Sequence, residues 1–243
     1  MIMRLRAAVL AVGLALALAG CMEGAAGLPL FAPSAPSEMA VARGAVVITG
    51  PEGYCVDRGG SRGGARAFVL LASCASISRN PRAPRPLAPG LLTASVAPIE
   101  VEGATPDVMR AFFATADGRS LLARDGQEAS LHIIESFVEG DVLYLLIEDV
   151  SPGGVPETEP RYWRGVFVLN GQLVTLSVLS FARRPLSRDA ALATLRDFVR
   201  QVIEASPPMP APALPAAAAA APAKEPPADA RGWLSGLFGR LPR

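Results

Sequence analysis

The stretch YWRGVFVLNGQLVTLSVLSF, residues 162–181, decides the fold. Asn170-Gly171 stands between two apolar runs rich in β-branched residues, and this dipeptide tolerates the two positive-φ positions of a tight type I′ turn. The spacing predicts strands at about 162–169 and 172–181 joined as a hairpin. Immediately upstream, ASLHIIESF and DVLYLLIEDV flank Val138-Glu139-Gly140-Asp141 and predict a second hairpin. Four strands are therefore expected in one antiparallel sheet.

Working outward, Ser187 is placed to cap a helix in which Leu192, Leu195, Phe198, Val199, Val202 and Ile203 recur at helical spacing, ending before Pro207. That helix is expected to lie across one face of the sheet. Thr105-Pro106-Asp107 supplies a cap, an N1 proline and an early acid for another helix, carrying Val108, Met109, Phe112 and Phe113. AVVITG and LLTASVAP read as further short strands. Strands that cluster, with helices inserted among them, predict an α+β fold: an antiparallel sheet with packed helices. Over residues 130–205 a run of strands followed by a long final helix is similar in pattern to the Mog1/PsbP-type α/β/α sandwich. The similarity implies an architecture and carries no function with it.

The start of the chain bears on location. Arg4 and Arg6 precede AAVLAVGLALALAG, an apolar run too short to span a bilayer comfortably, which is the pattern of a secretory signal peptide over residues 1–20. The run ends Leu18-Ala19-Gly20-Cys21, which resembles the lipobox of bacterial lipoprotein precursors. The resemblance implies cleavage before Cys21, a diacylglyceryl thioether on its sulfur and a further acyl chain such as palmitate on its amine. At about 0.8 kcal/mol per buried methylene, that group holds a protein on a membrane. Residue 22 is Met and not Asp, which favours the periplasmic face of the outer membrane, with the inner membrane as the alternative.

Removing residues 1–20, with Arg4 and Arg6, takes the formal net charge from +1 to −1, so no global nucleic-acid footprint exists. Residues 21–44 mix Ala, Pro, Gly and Ser and read as a lipidated tether, residues 45–206 as the globular domain, and residues 207–230 as a second, Pro/Ala-rich linker. Cys55 and Cys74 remain as an even pair; in an oxidising compartment a disulfide is expected, closing a loop of about twenty residues.

Within that loop Gly59, Ser61 and Gly63 match G-x-S-x-G, and Ser61, Asp117 or Asp125, and His132 follow the chain order of a serine-hydrolase triad. Two further glycines and an antiparallel setting argue against a nucleophile elbow, and His132 lies inside a strand, so no catalytic residue is assigned. No nucleotide-binding spacing is present, Glu148 and Asp149 alternate across a strand end and read as solvated, and Glu157 and Glu159 in a Pro/Gly loop read the same way. No metal site and no cofactor are expected.

Two features point to partners. Arg58, Arg62, Arg66, Arg79, Arg82 and Arg85 face one acid, Asp57, over residues 57–90, and RNPRAPRPLAP is pre-extended, which suits an anionic lipid, an acidic glycan or a partner's groove. In RGWLSGLFGRLPR, residues 231–243, Trp233, Leu234, Leu237, Phe238 and Leu241 fall on one helical arc, a docking segment for a membrane or an envelope protein. The functional expectation is a non-enzymatic envelope lipoprotein that binds or scaffolds. A module for a lipid headgroup or small ligand is the first alternative, and a hydrolase through Ser61 and His132 the second.

Overall fold

The computed structural model of the protein describes residues 35–99 and 103–208. The lipobox with Cys21, most of the tether, the Pro/Ala linker beyond residue 208 and the 231–243 segment lie outside the described residues.

The described residues form a sheet-dominated fold with packed helices. In chain order the strands are β1 (Glu38–Val41), β2 (Val46–Thr49), β3 (Tyr54–Arg62), β4 (Ala67–Ser73), β5 (Leu91–Pro98), β6 (Leu131–Glu139), β7 (Val142–Asp149), β8 (Thr158–Leu169) and β9 (Gln172–Phe181). The helices are α1 (Cys74–Ile77), α2 (Pro106–Phe113), α3 (Ala116–Leu122) and α4 (Arg188–Ala205). Strands β3 to β9 make one seven-stranded antiparallel sheet in the order β3-β4-β5-β9-β8-β7-β6, and β1 pairs with β2 in a separate ribbon.

The central hairpin β8–β9 turns at Asn170 (φ 51) and Gly171 (φ 70), the left-handed pair that the dipeptide was expected to supply. Its neighbours bond to both of its sides, β7 to β8 and β5 to β9. Strand β8 starts at Thr158, earlier than expected, so Glu159 belongs to a strand and only Glu157 stays in the loop. Residues 38–44, read from composition as tether, are folded. Val41 and Ala42 are buried, because β1 pairs with β2 and carries them into the core.

The two faces of the sheet are covered differently. On the first face α4 lies over β8 and β9 and against β2. Leu195, Phe198 and Val202 drop into a layer with Trp163, Phe167 and Leu176, all of them essentially inaccessible. Ser187 caps the helix, its Oγ accepting from the Ala190 N–H at 3.2 Å. The helix's apolar stripe is narrower than its sequence suggested, since Ile203 is exposed. At the rim, Arg188 and Arg196 of α4 pair with Glu135 and Glu139 of β6.

On the second face α2 and α3 cover β6 and β7. Met109, Phe112 and Phe113 pack with Leu143, Leu145 and Ile147, while Val108, expected in that stripe, points to solvent. The two helices meet at a tight corner. A Cβ on Gly118 would lie 2.1 Å from the Phe112 carbonyl oxygen, so no other residue fits there. The same cluster reaches β9, where Leu173 and Leu179 are buried and Ser177 with them, whereas Phe68 and Leu70 of β4, Thr93 and Ser95 of β5 and Thr175 of β9 are only half-buried.

Candidate binding face

The register of the sheet sets out what the second face presents along β4, β5, β9 and β8. Across the strands, Asp57, Leu70, Thr93, Ser177, Arg164 and Leu145 are successive partners from β3 to β7. One row along, Phe68, Ser95, Thr175 and Val166 are partners in the same way. Adjacent strands lie about 4.8 Å apart, so four hydroxyl-bearing residues fall within roughly 10 Å of the Arg164 backbone. Phe68, Leu70, Thr93, Ser95 and Thr175 are half-buried, whereas Ser177, Tyr162 and Val166 around Arg164 are buried.

Arg164 is the chemical centre of this face. Its Nε–H donates to Ser177 Oγ at 3.2 Å and Nη2 donates to the Tyr162 hydroxyl at 3.2 Å, with the guanidinium 5.2 Å from the Tyr162 ring centroid. The bond to Ser177 leans the side chain toward β9, away from α2 and α3. Both hydrogen-bonding partners are neutral, and Arg164 has no carboxylate partner among the described residues, unlike Arg110, Arg119, Arg161, Arg188, Arg196 and Arg200. Burial pushes the Tyr162 hydroxyl pKa up, and the Arg164 charge beside it pulls it partly back. A guanidinium has five N–H donors and two are used here, leaving three for an incoming acceptor.

Sequence reading passed over Arg164, although its signal lay in the opening stretch. Tyr162, Arg164 and Val166 alternate onto one face of β8, so a cation there had to stand in an apolar row. That Arg164 is left half-buried in that row depends on where α2 and α3 pack, which no local pattern contains.

The disulfide is where it was expected: Cys55 at the start of β3 is bonded to Cys74, the first residue of α1. It staples the edge hairpin β3–β4, and a loop of this length contributes about 3 kcal/mol in the chain-entropy account. The six arginines around it are exposed but do not gather in one place. Arg58, Arg62 and Arg66 run along β3 and the hairpin tip, whereas Arg79, Arg82 and Arg85 belong to the loop that returns past Gly53 at the hairpin's base. Tyr54 anchors that loop by donating to the Ala88 carbonyl at 2.6 Å and accepting from the Gly90 N–H at 3.1 Å. Burial pushes the Tyr54 pKa up to about 12, with the Gly90 contact opposing it.

Ser61 and His132 cannot act together. They lie on β3 and β6, the two opposite edges of the seven-stranded sheet, some six strand spacings or roughly 29 Å apart. Ser61 Oγ is engaged locally, donating to the Asp57 carbonyl at 2.6 Å and accepting from the Leu70 N–H at 3.0 Å across a bulge. Asp117 sits in the first turn of α3. Asp125 accepts from Ser130 Oγ at 2.6 Å, and that bond, with the Gln127 N–H next, holds its carboxyl below the usual range.

Asp149 differs from its reading as a solvated strand end. It is fully buried, accepting from the Ser151 N–H at 2.9 Å and lying 3.5 Å from the Arg124 guanidinium, whereas neighbouring Glu148 is only half-buried and pairs with Arg161. It is a clasp that ties the loop after α3 to the end of β7. Among the described residues no group of three or more His, Cys, Asp or Glu is placed to hold a metal, and no helix is long and apolar enough to cross a membrane.

A concavity of about 640 Å³ opens between α2, α3 and β6 and is lined by Arg110, Phe113, Arg119, Glu128, His132 and Leu145. Its two arginines are already paired, Arg110 with Asp107 and Arg119 with Glu128, so it offers no uncommitted cation.

Compared with protein-family models, with curated proteins and with solved structures, the chain matches none of them.

Proposed function

We propose that this chain is a lipid-anchored, non-enzymatic binding module of the bacterial envelope that takes an anionic small ligand at Arg164 on its second sheet face. One observation carries the reading: a half-buried arginine stands among hydroxyls at the centre of a sheet with only neutral partners. Taking a cation even partly out of water without a counter-charge costs free energy, and such a cost is retained where a ligand offsets it. The anchor in this reading is the acylated Cys21, and the location is the periplasmic face of the outer membrane or the inner membrane.

The protein purified from membranes in mild detergent and released gently in native mass spectrometry is expected to carry a small molecule that Arg164→Gln loses. A bare wild-type mass from several gentle preparations overturns the proposal. Cys21→Ser is expected to move the chain from the membrane fraction to the soluble periplasmic fraction; retention on the membrane rejects the anchor.

The amphipathic arc of Trp233, Leu234, Leu237, Phe238 and Leu241 supports an additional docking role, bridging the anchored domain to an envelope protein through raised effective concentration. Deleting residues 231–243 is then expected to abolish co-purification of that partner while leaving ligand retention unchanged.

A further inference from the structure

We infer that the ligand class of this face is a monocarboxylate on an apolar body, its carboxylate held end-on by the two terminal nitrogens of Arg164 and its body lying toward Leu70 and Phe68. The inference rests on the binding-module reading above and narrows it.

The donor count favours a carboxylate. Nε and one Nη2 proton are already committed to Ser177 and Tyr162, so the remaining free edge of the guanidinium is the Nη1–Nη2 fork, which matches the two oxygens of a carboxylate. Those two bonds also fix the plane of the fork, which a lysine ammonium could not offer. Among the residues of this face Arg164 is the only cation apart from Arg62 at the outer edge, on β3. Only one negative charge is therefore matched at its centre. A phosphate would bring nearly two charges and expect several donors, typically clustered backbone N–H groups, which a sheet face whose N–H groups are spent on strand pairing does not supply.

The surroundings favour an apolar body. Toward β4 the strand row runs from Arg164 through Ser177 and Thr93 to Leu70, with Phe68 in the next row. A ligand anchored at the guanidinium, which the bond to Ser177 brings to β9, passes over Thr93 and reaches Leu70 after two strand spacings, roughly 10 Å. That is the reach of a medium-length acyl chain.

The test uses the full chain with Cys21→Ser, which removes the need for detergent, and octanoate as the probe. Octanol serves as the neutral isostere and inorganic phosphate as the other anion. In nitrogen NMR the Arg164 Nε–H resonance, identified by its loss in Arg164→Gln, is expected to shift saturably with octanoate. Affinity is expected to fall roughly 10- to 100-fold in Arg164→Gln, the worth of a charge-assisted pair, and to recover only partly in Arg164→Lys.

Because Arg164→Gln also removes two internal hydrogen bonds, Leu70→Asp provides a second variant that leaves Arg164 intact. It is expected to weaken octanoate and leave acetate unaffected. Equal binding of octanol and octanoate overturns the inference, as does phosphate binding more tightly than octanoate, or no binding of octanoate. A membrane-purified chain that retains a ligand while octanoate fails sinks this inference alone; a bare wild-type mass sinks the binding-module reading with it.

Discussion

The two faces of the seven-stranded sheet carry the same strands and were built to different ends. The first is sealed: α4 and the β1–β2 ribbon close over Trp163, Phe167 and Leu176, and charged residues appear only at its rim. The second is sealed by α2 and α3 over β6 and β7, and its other half carries hydroxyls and a half-buried cation among less deeply buried strand residues. The contrast teaches that a sheet packed closely on one side can leave part of its other side less deeply buried and free to carry polar groups. A sheet face that need not be apolar can be chemical.

The strongest attempt to break the comparison is Phe198→Ala on the sealed face. It deletes a fully buried ring at the centre of the α4 contact and is expected to cost about 4 kcal/mol in denaturant unfolding. A loss under about 1 kcal/mol would mean that the first face does not carry the fold.

Asp149→Ala probes the covered half of the second face. It strands the Ser151 N–H and leaves Arg124 without its counter-charge, with an expected cost of about 3 kcal/mol by the same measurement. A near-neutral result would show that the clasp is decorative.

Tyr54, at the margin of the sealed face, gives a pH test. Its folded pKa lies above the unfolded value of about 10, so its contribution is fully present below pH 10 and is lost as pH rises from there toward about 12. The loss, about 2–3 kcal/mol when complete, is expected to vanish in Tyr54→Phe, read by unfolding at alkaline pH beside tyrosinate absorbance. If the two proteins lose stability in parallel, Tyr54 is not the group responsible.

The smallest effect is expected on the less deeply buried half. Thr175→Val should change stability by less than about 0.5 kcal/mol, because Thr175 is only half-buried and the change keeps its volume. A larger loss would show that this half is closely packed after all, and the contrast between the faces would fail.

Much of the fold was legible because its signals are local. Asn170-Gly171, the Ser187 cap and the spacing of Leu195, Phe198 and Val202 each specify their element without reference to distant residues. β3 was less legible: its apolar start passes into Arg58-Gly59-Gly60-Ser61, where strand alternation breaks at a bulge between Asp57 and Arg62. The burial of Asp149 was illegible for a different reason. Its partners come from residues 124 and 151, and only the folded chain brings them together. Arg164 lies between these cases, since alternation fixes its face while the placement of α2 and α3 decides how deeply that face is buried.

The bulges at the two edges of the sheet have a further consequence. β3 is bulged between Asp57 and Arg62, and β6 between Ile133 and Glu135, which leaves Ile134 exposed. A regular edge strand is a template on which a second copy can extend the sheet, and crowding raises the chance of such an encounter. Two interrupted rims deny the incoming strand a continuous ladder, so crowded copies can stand close together without polymerising.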